Sequence, residues 1–533
     1  MKNICTGLCL FGFALLPMAP EATGQVIFDK VQVASKSRFQ PVSFPSVIFV
    51  DASATGAASG NSWSNAFTNL HPALALAQPG DQIWVAAGSY YVSDPGGSQA
   101  ETYTIPSGVK VYGGFTGTET QLTQRDPVLN QTALSADINR DDVTVGVFDI
   151  HSSNNWNIVT MNGADANTRL DGFDLQTGHL WGATGTRRNG AGVNLTASSP
   201  VIANCSFSFC VASKGGGIYS DTGDATIESC TFTSNWASDY SSNAAAIYNE
   251  SGDMVIRDSI FSGNRAESRG GSVRGGAMYN GDGSLIVERC RFVGNTALPR
   301  WTYGTAAYGG AIYVNSGLVR VSDSLFDDND SNVGGAISTG FYLTPVCEIY
   351  NSQFLGNTVQ VALVNIGIEN GGDGGAVFGG PTSVVDIVGC QIMGGDADNY
   401  GGAYVGGLGL VSSSIFWGNT DSRGSIGKSQ VKAHRVYYSC VENMLVGEPG
   451  EDPPDPAKFP NSIALDPLFV TTPQGPYRLS AASPCIDAAD KTAWPMFITL
   501  DMDGNPRFVD DPLTPDTGVG PAPVADMGPF EVQ

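Results

Sequence analysis

Charge is what this sequence has least of. Only 15% of its 533 residues are Asp, Glu, Lys or Arg, too few for a long-helix or coiled-coil protein. Basic side chains are the scarcer kind: 27 Lys and Arg stand against 51 Asp and Glu, a formal charge of −24. A nucleic-acid or anionic-membrane partner requires the opposite sign, so both classes are excluded. Histidine occurs four times, as His71, His151, His179 and His434, in no metal-type spacing and no nucleophile arrangement. CxxC spacing is absent too. Beyond residue 24 no apolar run reaches the ~20 residues of a spanning helix. What abounds is apolar side chain, at 42%, and glycine, at 67 residues. That composition can bury a large core, and global disorder is ruled out.

The first 24 residues have the layout of a secretory signal. Lys2 precedes an apolar stretch from Ile4 to Met18, and the small residues Ala22-Thr23-Gly24 come next. The expectation is an exported protein, extracellular or attached to the cell envelope, with no transmembrane span after processing. Of ten cysteines, eight remain once Cys5 and Cys9 are removed. Four recur at one register: Cys205-x-Phe207, Cys230-x-Phe232, Cys290-x-Phe292 and Cys390-x-Ile392. Ser259, Ser324, Ser352 and Ser414 fill the same slot. A slot that takes Cys or Ser alike reads as a small inward-facing position, not a disulfide framework. Cys440 and Cys485 fall outside it and are the expected disulfide of an exported chain.

An internal repeat decides the architecture. GGGIY (Gly215–Tyr219), AAAIY (Ala244–Tyr248), GGAMY (Gly275–Tyr279) and GGAIY (Gly309–Tyr313) are succeeded by GGAIS, GGAVF and GGAYV, beginning at Gly334, Gly374 and Gly401. Phe-x-x-Asn recurs in phase at Phe232/Asn235, Phe261/Asn264, Phe292/Asn295, Phe326/Asn329, Phe354/Asn357 and Phe416/Asn419. From the third residue of each of the first four motifs, at 217, 246, 277 and 311, the distance to the Phe is always 15. Successive motifs, however, lie 29, 31, 34, 25, 40 and 27 residues apart. One part of the unit is constant and another elastic. The segments TIESCTF, VIRDSIF, LIVERCRF and VRVSDSLF alternate as short strands do. Such a unit cannot bury its apolar side alone and must stack on copies of itself. The predicted fold is all-β: a single-stranded, right-handed parallel β-helix (solenoid), each coil adding ~4.8 Å. Phe should stack on Phe and Ile on Ile. The Gly pairs suit positive φ or a close backbone approach. The Asn is expected to occupy the left-handed region at a turn and to bond backbone there.

GGA[I/V/M] paired with a later FxxN resembles the repeat of the chlamydial polymorphic outer-membrane proteins, within the wider pectin-lyase-like β-helix class. The likeness covers roughly residues 200–425. It implies a β-helical passenger acting in adhesion, as in autotransporters that end in a membrane barrel. Nothing after Ser425 reads as barrel strands. The closing segment (LDPLFV, YRLSAASPCIDAAD, DMDGNPRFVDD, ADMGPFEVQ) is similar to the tail of many secreted bacterial β-helix proteins. Pectinase-like hydrolases of this class share an NTD…DD…GHG…RIK set. Here Gly178-His179-Leu180 breaks its third element.

The organisation expected is a signal at 1–24, an N-terminal segment with a helical cap at 25–80, coils at 81–440, a Pro-rich connector at 441–460 and a C-terminal cap at 461–533. The helix is expected over Asn61–Ala77, from Trp63, Phe67, Leu70 and Leu74.

Candidate chemistry is sparse. Asp171 and Asp174, three apart on one presumed strand, face opposite sides and do not form a catalytic pair. Asp327, Asp328 and Asp330 around Asn329 read as a solvated corner. Asp137-x-Asn139-x-Asp141 and Asp501-x-Asp503-Gly504-Asn505 have the alternate-oxygen spacing of Ca²⁺ ligands, without a complete twelve-residue loop. The insertions between FxxN and the next GGA are expected to leave one corner of the coil as loops. They carry Trp236, Asp239 and Tyr240, then Arg265, Glu267, Arg269 and Arg274, then Arg300, Trp301, Tyr303 and Tyr308, and later Arg423 and Lys428. Aromatic faces stack on sugars and Arg forks onto carboxylates. The edge is therefore the expected surface for an acidic glycan or a surface protein. The function expected is an adhesin or binding scaffold. The alternative is a lyase or hydrolase of acidic polysaccharide, with Arg269, Arg274 or Arg300 and Asp239 or Glu267 as its catalytic candidates.

Overall fold

The computed structural model describes residues 46–142, 152–180, 189–299, 306–360, 373–397, 401–421, 430–444 and 455–532. The chain divides after Phe44 into two units, the second running from Pro45 to Gln533. The expected signal at 1–24 lies outside the described residues, as do His151, Arg300, Trp301, Tyr303, Arg423 and Lys428.

Among the described residues, four parallel sheets of 13, 12, 8 and 11 strands run along the second unit. One coil passes through all four. Thr226–Glu228 lies in the first sheet, Thr231–Thr233 in the second, Trp236–Asp239 in the third and Ile247–Asn249 in the fourth. Each strand pairs in parallel with its counterpart one coil away, so Phe207, Phe232, Phe261, Phe292, Phe326 and Phe354 fall in one row. Neighbouring rings stack with centroids 4.6–4.8 Å apart and planes within 6° of parallel. All six are fully buried. The three-residue strands place one side chain inward and two outward, which is why one Phe or Ile per strand suffices.

The corners explain the rest of the repeat. The Cys/Ser slot faces inward after the first sheet. Ser259 Oγ accepts the Cys230 backbone N–H at 3.1 Å and donates to Arg257 O at 2.7 Å. Ser324, Ser352 and Ser414 repeat the arrangement. Cys and Ser are interchangeable because both fit the space and reach the carbonyl two residues back. At the next corner the Asn side chain bonds backbone as expected, but its expected conformation is corrected. The left-handed residue is the one before it, as at Ser234 (φ 54°), Gly263 (φ 61°) and Asp328 (φ 52°). The Asn itself turns inward. Asn264 Nδ2 donates to Asn295 Oδ1 at 2.9 Å and to Phe232 O at 2.9 Å. Asn295 does the same to Asn329, and Asn329 to Asn357. The amide is worth more satisfying buried carbonyls coil after coil than capping one turn. At the Gly pairs both expected reasons apply. Gly275 has φ 70°, and a Cβ on Gly276 would lie 2.0 Å from Gly310 O of the next coil.

Both ends differ from expectation. Val47–Val50 pairs with Gln82–Ala86, so the first sheet begins at Val47 and not near residue 81. The N-terminal helix spans only Leu70–Leu76, capped by Asn69. Upstream, Phe67 is tied to strand backbone, donating to Phe49 O and accepting from the Asp51 N–H, which holds that stretch extended. Leu70, Ala73 and Leu74 cover the end of the core as expected of a cap. At the other end, Met444 and Phe459 pack against the core. Ile463 bridges Cys440 in parallel, and the remainder extends beyond the last coil. After the antiparallel hairpin Phe469–Thr472/Gly475–Leu479, the chain runs back along the outside of the coils. Asn351 Nδ2 donates to Leu500 O at 3.1 Å across 149 residues of sequence. Gln391 Nε2 reaches Tyr477 O, and the Asp490 N–H reaches Ser413 Oγ. The physical reason is an apolar outer stripe at the first corner, where Tyr350 and Val388 pack with Trp494 and Ile498. We call 463–532 the flank segment.

Candidate functional site

The flank segment stands away from the outer face of the second sheet and leaves a groove of about 740 Å³. Its floor is the outward row of that sheet, Arg291, Leu325 and Gln353, with Asp327 and Leu355 beside it. Its opposite wall is Arg478, Phe497, Leu500–Asp503 and Phe530. Three guanidinium groups line this groove. Arg289 forks onto Asp258 at 2.7 and 2.9 Å. Arg478 forks onto Asp503 at 2.7 Å through both Nε and a terminal nitrogen, and lies 3.4 Å over the Phe530 ring. Arg291 is exposed and has no ion-pair partner among the described residues. Two acids share the space. Burial raises the Asp327 carboxyl, assisted by Asp328 and opposed by Arg291. Burial also raises Asp323, against an opposing hydrogen bond from Asn351. The groove therefore offers one cation without an ion-pair partner among the described residues, two carboxyls and a half-exposed Phe497. It can take an extended polar ligand carrying negative charge.

The expected edge is built differently. Trp236–Asp239, Arg265–Ser268, Val273–Arg274 and Thr296–Pro299 are strands, the first, second and fourth belonging to the third sheet. The insertions thus begin as walls of the coil, and only their tips are loops. Trp236 is half-buried in the row Val211–Trp236–Arg265. Asp239 accepts from Ser213 Oγ and the Tyr240 N–H, both at 2.7 Å. Glu267 is buried against Arg265 at 2.7 Å. Tyr240 is 70% exposed and lies over Gly270. The Arg269 N–H donates to Asp239 O. Arg274 lies 5.7 Å from the Tyr313 ring centre.

Beside this edge the fourth sheet carries a row that sequence reading missed. Tyr219, Tyr248, Tyr279 and Tyr313 point outward and stack at 5.5, 4.4 and 5.7 Å. The signal was present as the fifth letter of each GGxIY motif. Tyr248, Tyr279 and Tyr313 are buried and Tyr219 is half-buried, with Lys214 over the Tyr248 ring. Burial raises all four phenols.

Other expectations resolve locally. Asp171 and Asp174 do not share a strand: Gly172 (φ 82°) separates them into the first and second sheets. Asp171 is buried between Arg125 and Arg169, the latter at 2.7 Å, and Asp174 accepts from Ser206. Burial lowers His179 to about 4. Of the Ca²⁺ candidates, Asp501 accepts the Asn505 N–H at 2.8 Å and the Glu531 N–H at 3.1 Å, and Asp503 holds Arg478. That arrangement organises the groove wall. Asp137 and Asp141 come together, and Asp142 joins them. Cys440 and Cys485, the expected disulfide, stand instead as free, buried thiols in one small core, and the hydrogen bond Cys440 makes with Cys485 is the first cause raising Cys440.

The parallel pairing, the four stacked walls and the inward ladders define a right-handed parallel β-helix. In keeping with this, a family model described as a right-handed β-helix region matches residues 191–392. A solved pectate lyase, Pel9A, is similar over 92% of this chain and 98% of its own, at 14% identity and a TM-score of 0.40. Likeness at that level carries no argument about activity. No curated protein matches the sequence.

Proposed function

We propose that this is an exported, non-catalytic binding protein whose β-helix presents the flank groove to a carboxylated glycan. The observation that carries the reading is Arg291, an exposed guanidinium without an ion-pair partner among the described residues, on the floor of a groove with Arg289 and Arg478 beside it. A guanidinium fork matches a carboxylate in two bonds. The Asp323 and Asp327 carboxyls can accept from sugar hydroxyls. The leader-like first 24 residues support export. The GGA/FxxN resemblance to adhesive passengers supports attachment to surfaces over turnover. The edge with Asp239, Arg269 and Arg274 is a secondary contact surface on this reading, since its acids are engaged within the fold.

A second reading has one observation in its favour. Two carboxyls in one groove are also what an acid-assisted glycan hydrolysis employs, one as acid and one as carboxylate. One experiment separates the two. Purified protein is incubated with a polyuronate and with a neutral glucan, and co-sedimentation, reducing ends and unsaturated-product absorbance are monitored together. Binding of the polyuronate without product, weakened at least about 10-fold by Arg291→Glu, is the expected outcome. Equal binding by Arg291→Glu defeats the groove. Product lost in Asp327→Asn transfers the case to the hydrolase. Binding of neither polymer leaves a protein ligand as the alternative.

A further inference from the structure

The flank segment closes on itself around an aspartate. Asp487 is 0% exposed. Its N–H donates to Asp526 Oδ1 at 2.8 Å, and its carbonyl accepts from the Thr517 and Gly518 N–H groups at 2.9 and 3.0 Å. One carboxylate oxygen, Oδ2, accepts the Asp511 N–H at 3.3 Å. The other, Oδ1, has no hydrogen-bond partner. Carboxylate oxygens of Asp487, Asp510 and Asp516 all lie within 4.8 Å of one another. Asp510 and Asp516 are exposed, and neither forms an ion pair among the described residues.

The basic side chains of this lobe are engaged elsewhere. Arg507 bonds Glu531 at 2.7 Å and the carbonyls of Asp526 and Gly528. Lys491 Nζ donates to Pro523 O at 2.8 Å and sits over the Phe508 ring. Three like charges converge with no cation of the described chain among them. Burial, then Asp526, Asp516 and Asp510, push the Asp487 carboxyl up to about 6. A buried carboxylate oxygen without a donor is expensive unless something accepts its charge.

We propose that Asp487, Asp510 and Asp516 form a calcium site that fastens the 509–519 loop to the flank segment. The donor set is all oxygen and all anionic, which selects a hard divalent cation. Two of the three ligands come from an exposed loop. That irregular geometry, with room for water or carbonyl ligands, suits the six to eight oxygens of Ca²⁺ better than the strict octahedron of Mg²⁺. The acidic group at Asp137 differs in kind. Both Asp137 oxygens accept backbone N–H groups, from Asp141 and Asp142 at 3.2 Å, so that aspartate already has its partners.

The test uses the full chain stripped with EGTA. Terbium luminescence with Ca²⁺ competition reads the site, and thermal unfolding reads the consequence. Saturable binding and a Ca²⁺-dependent rise in melting midpoint of about 3 °C are expected. Proteolysis within 509–519 should slow in the same titration. Asp510→Asn/Asp516→Asn, which alters only exposed side chains, should lose at least about 10-fold in affinity together with both stabilising effects. Asp137→Asn should retain them. Should the double variant unfold, Asp516→Asn alone is read by terbium binding. The proposal fails if the wild type neither binds nor stabilises, or if the Asn variants respond as the wild type does.

Discussion

The coils and the flank segment are held by opposite means. In the coils the inward contacts come in series: Phe292 stacks between Phe261 and Phe326, and Asn295 bonds between Asn264 and Asn329. In the flank segment every contact is singular. Arg507, fully buried, lies 4.2 Å from the Trp494 ring centre and bonds the equally buried Glu531 at 2.7 Å. Repetition makes a structure whose stability is a sum over neighbours. Singular polar contacts make one that depends on a few groups and on their charge state. A stack of coils is a frame of constant cross-section. The flank segment adds the depth that turns one of its faces into a groove.

This contrast can be broken most forcefully at the centre of the Phe row. Phe292→Ala removes a ring stacked on both faces and should cost about 3–5 kcal/mol, measured as a lower denaturation midpoint of the coils as a whole. A loss confined to the flank segment would contradict the series picture. Next in size is a pH effect on the flank segment alone. Burial, opposed by Arg507 and reinforced by Asp526, raises Glu531 from 4.5 to about 8. A folded-state value above the unfolded one means that stability from this group is complete below about pH 4.5. It is lost as pH rises through about 8. Moving from pH 5 to 8.5 should therefore loosen the flank segment, seen in Trp494 fluorescence and hydrogen exchange, while the coils stay protected. Coils that loosen in step would remove the distinction. The smallest effects come from a pair of glycines in one coil. Gly276→Ala drives a Cβ against Gly310 O at 2.0 Å and should cost about 1–3 kcal/mol. Gly294→Ala meets nothing within 4 Å and carries only the left-handed penalty at φ 62°, about 1 kcal/mol. Equal losses would mean that close coil contact is not what the Gly pair serves.

Much of the coil was legible because its information is local and repeated. The Phe spacing of 15 marks the row, and the Cys/Ser alternation at 230, 259, 290 and 324 marks a small buried slot. Reading was less secure where one residue type serves two geometries. Asn was expected in the left-handed region on its propensity, whereas the buried ladder required its amide and the preceding residue took the strained φ. Trp236 and Glu267 were read as loop residues because strands of two to four residues give too little alternation to see. The groove was invisible for another reason. Arg291 and Leu325 are outward residues of ordinary strands, and Arg478 and Phe530 lie some 150 to 240 positions further on.

The coil is written into the chain itself, in its parallel register, its inward rows and its tight corners. These arise from contacts that recur every 25 to 40 residues, each copy reinforcing the next. The path of the flank segment is settled only by packing in three dimensions. An apolar stripe of Tyr350 and Val388 on the outside of the coils draws Trp494 and Ile498 onto it. That packing sets the flank segment against the coils, where it walls the groove. No periodicity announces it, because the contact is made once.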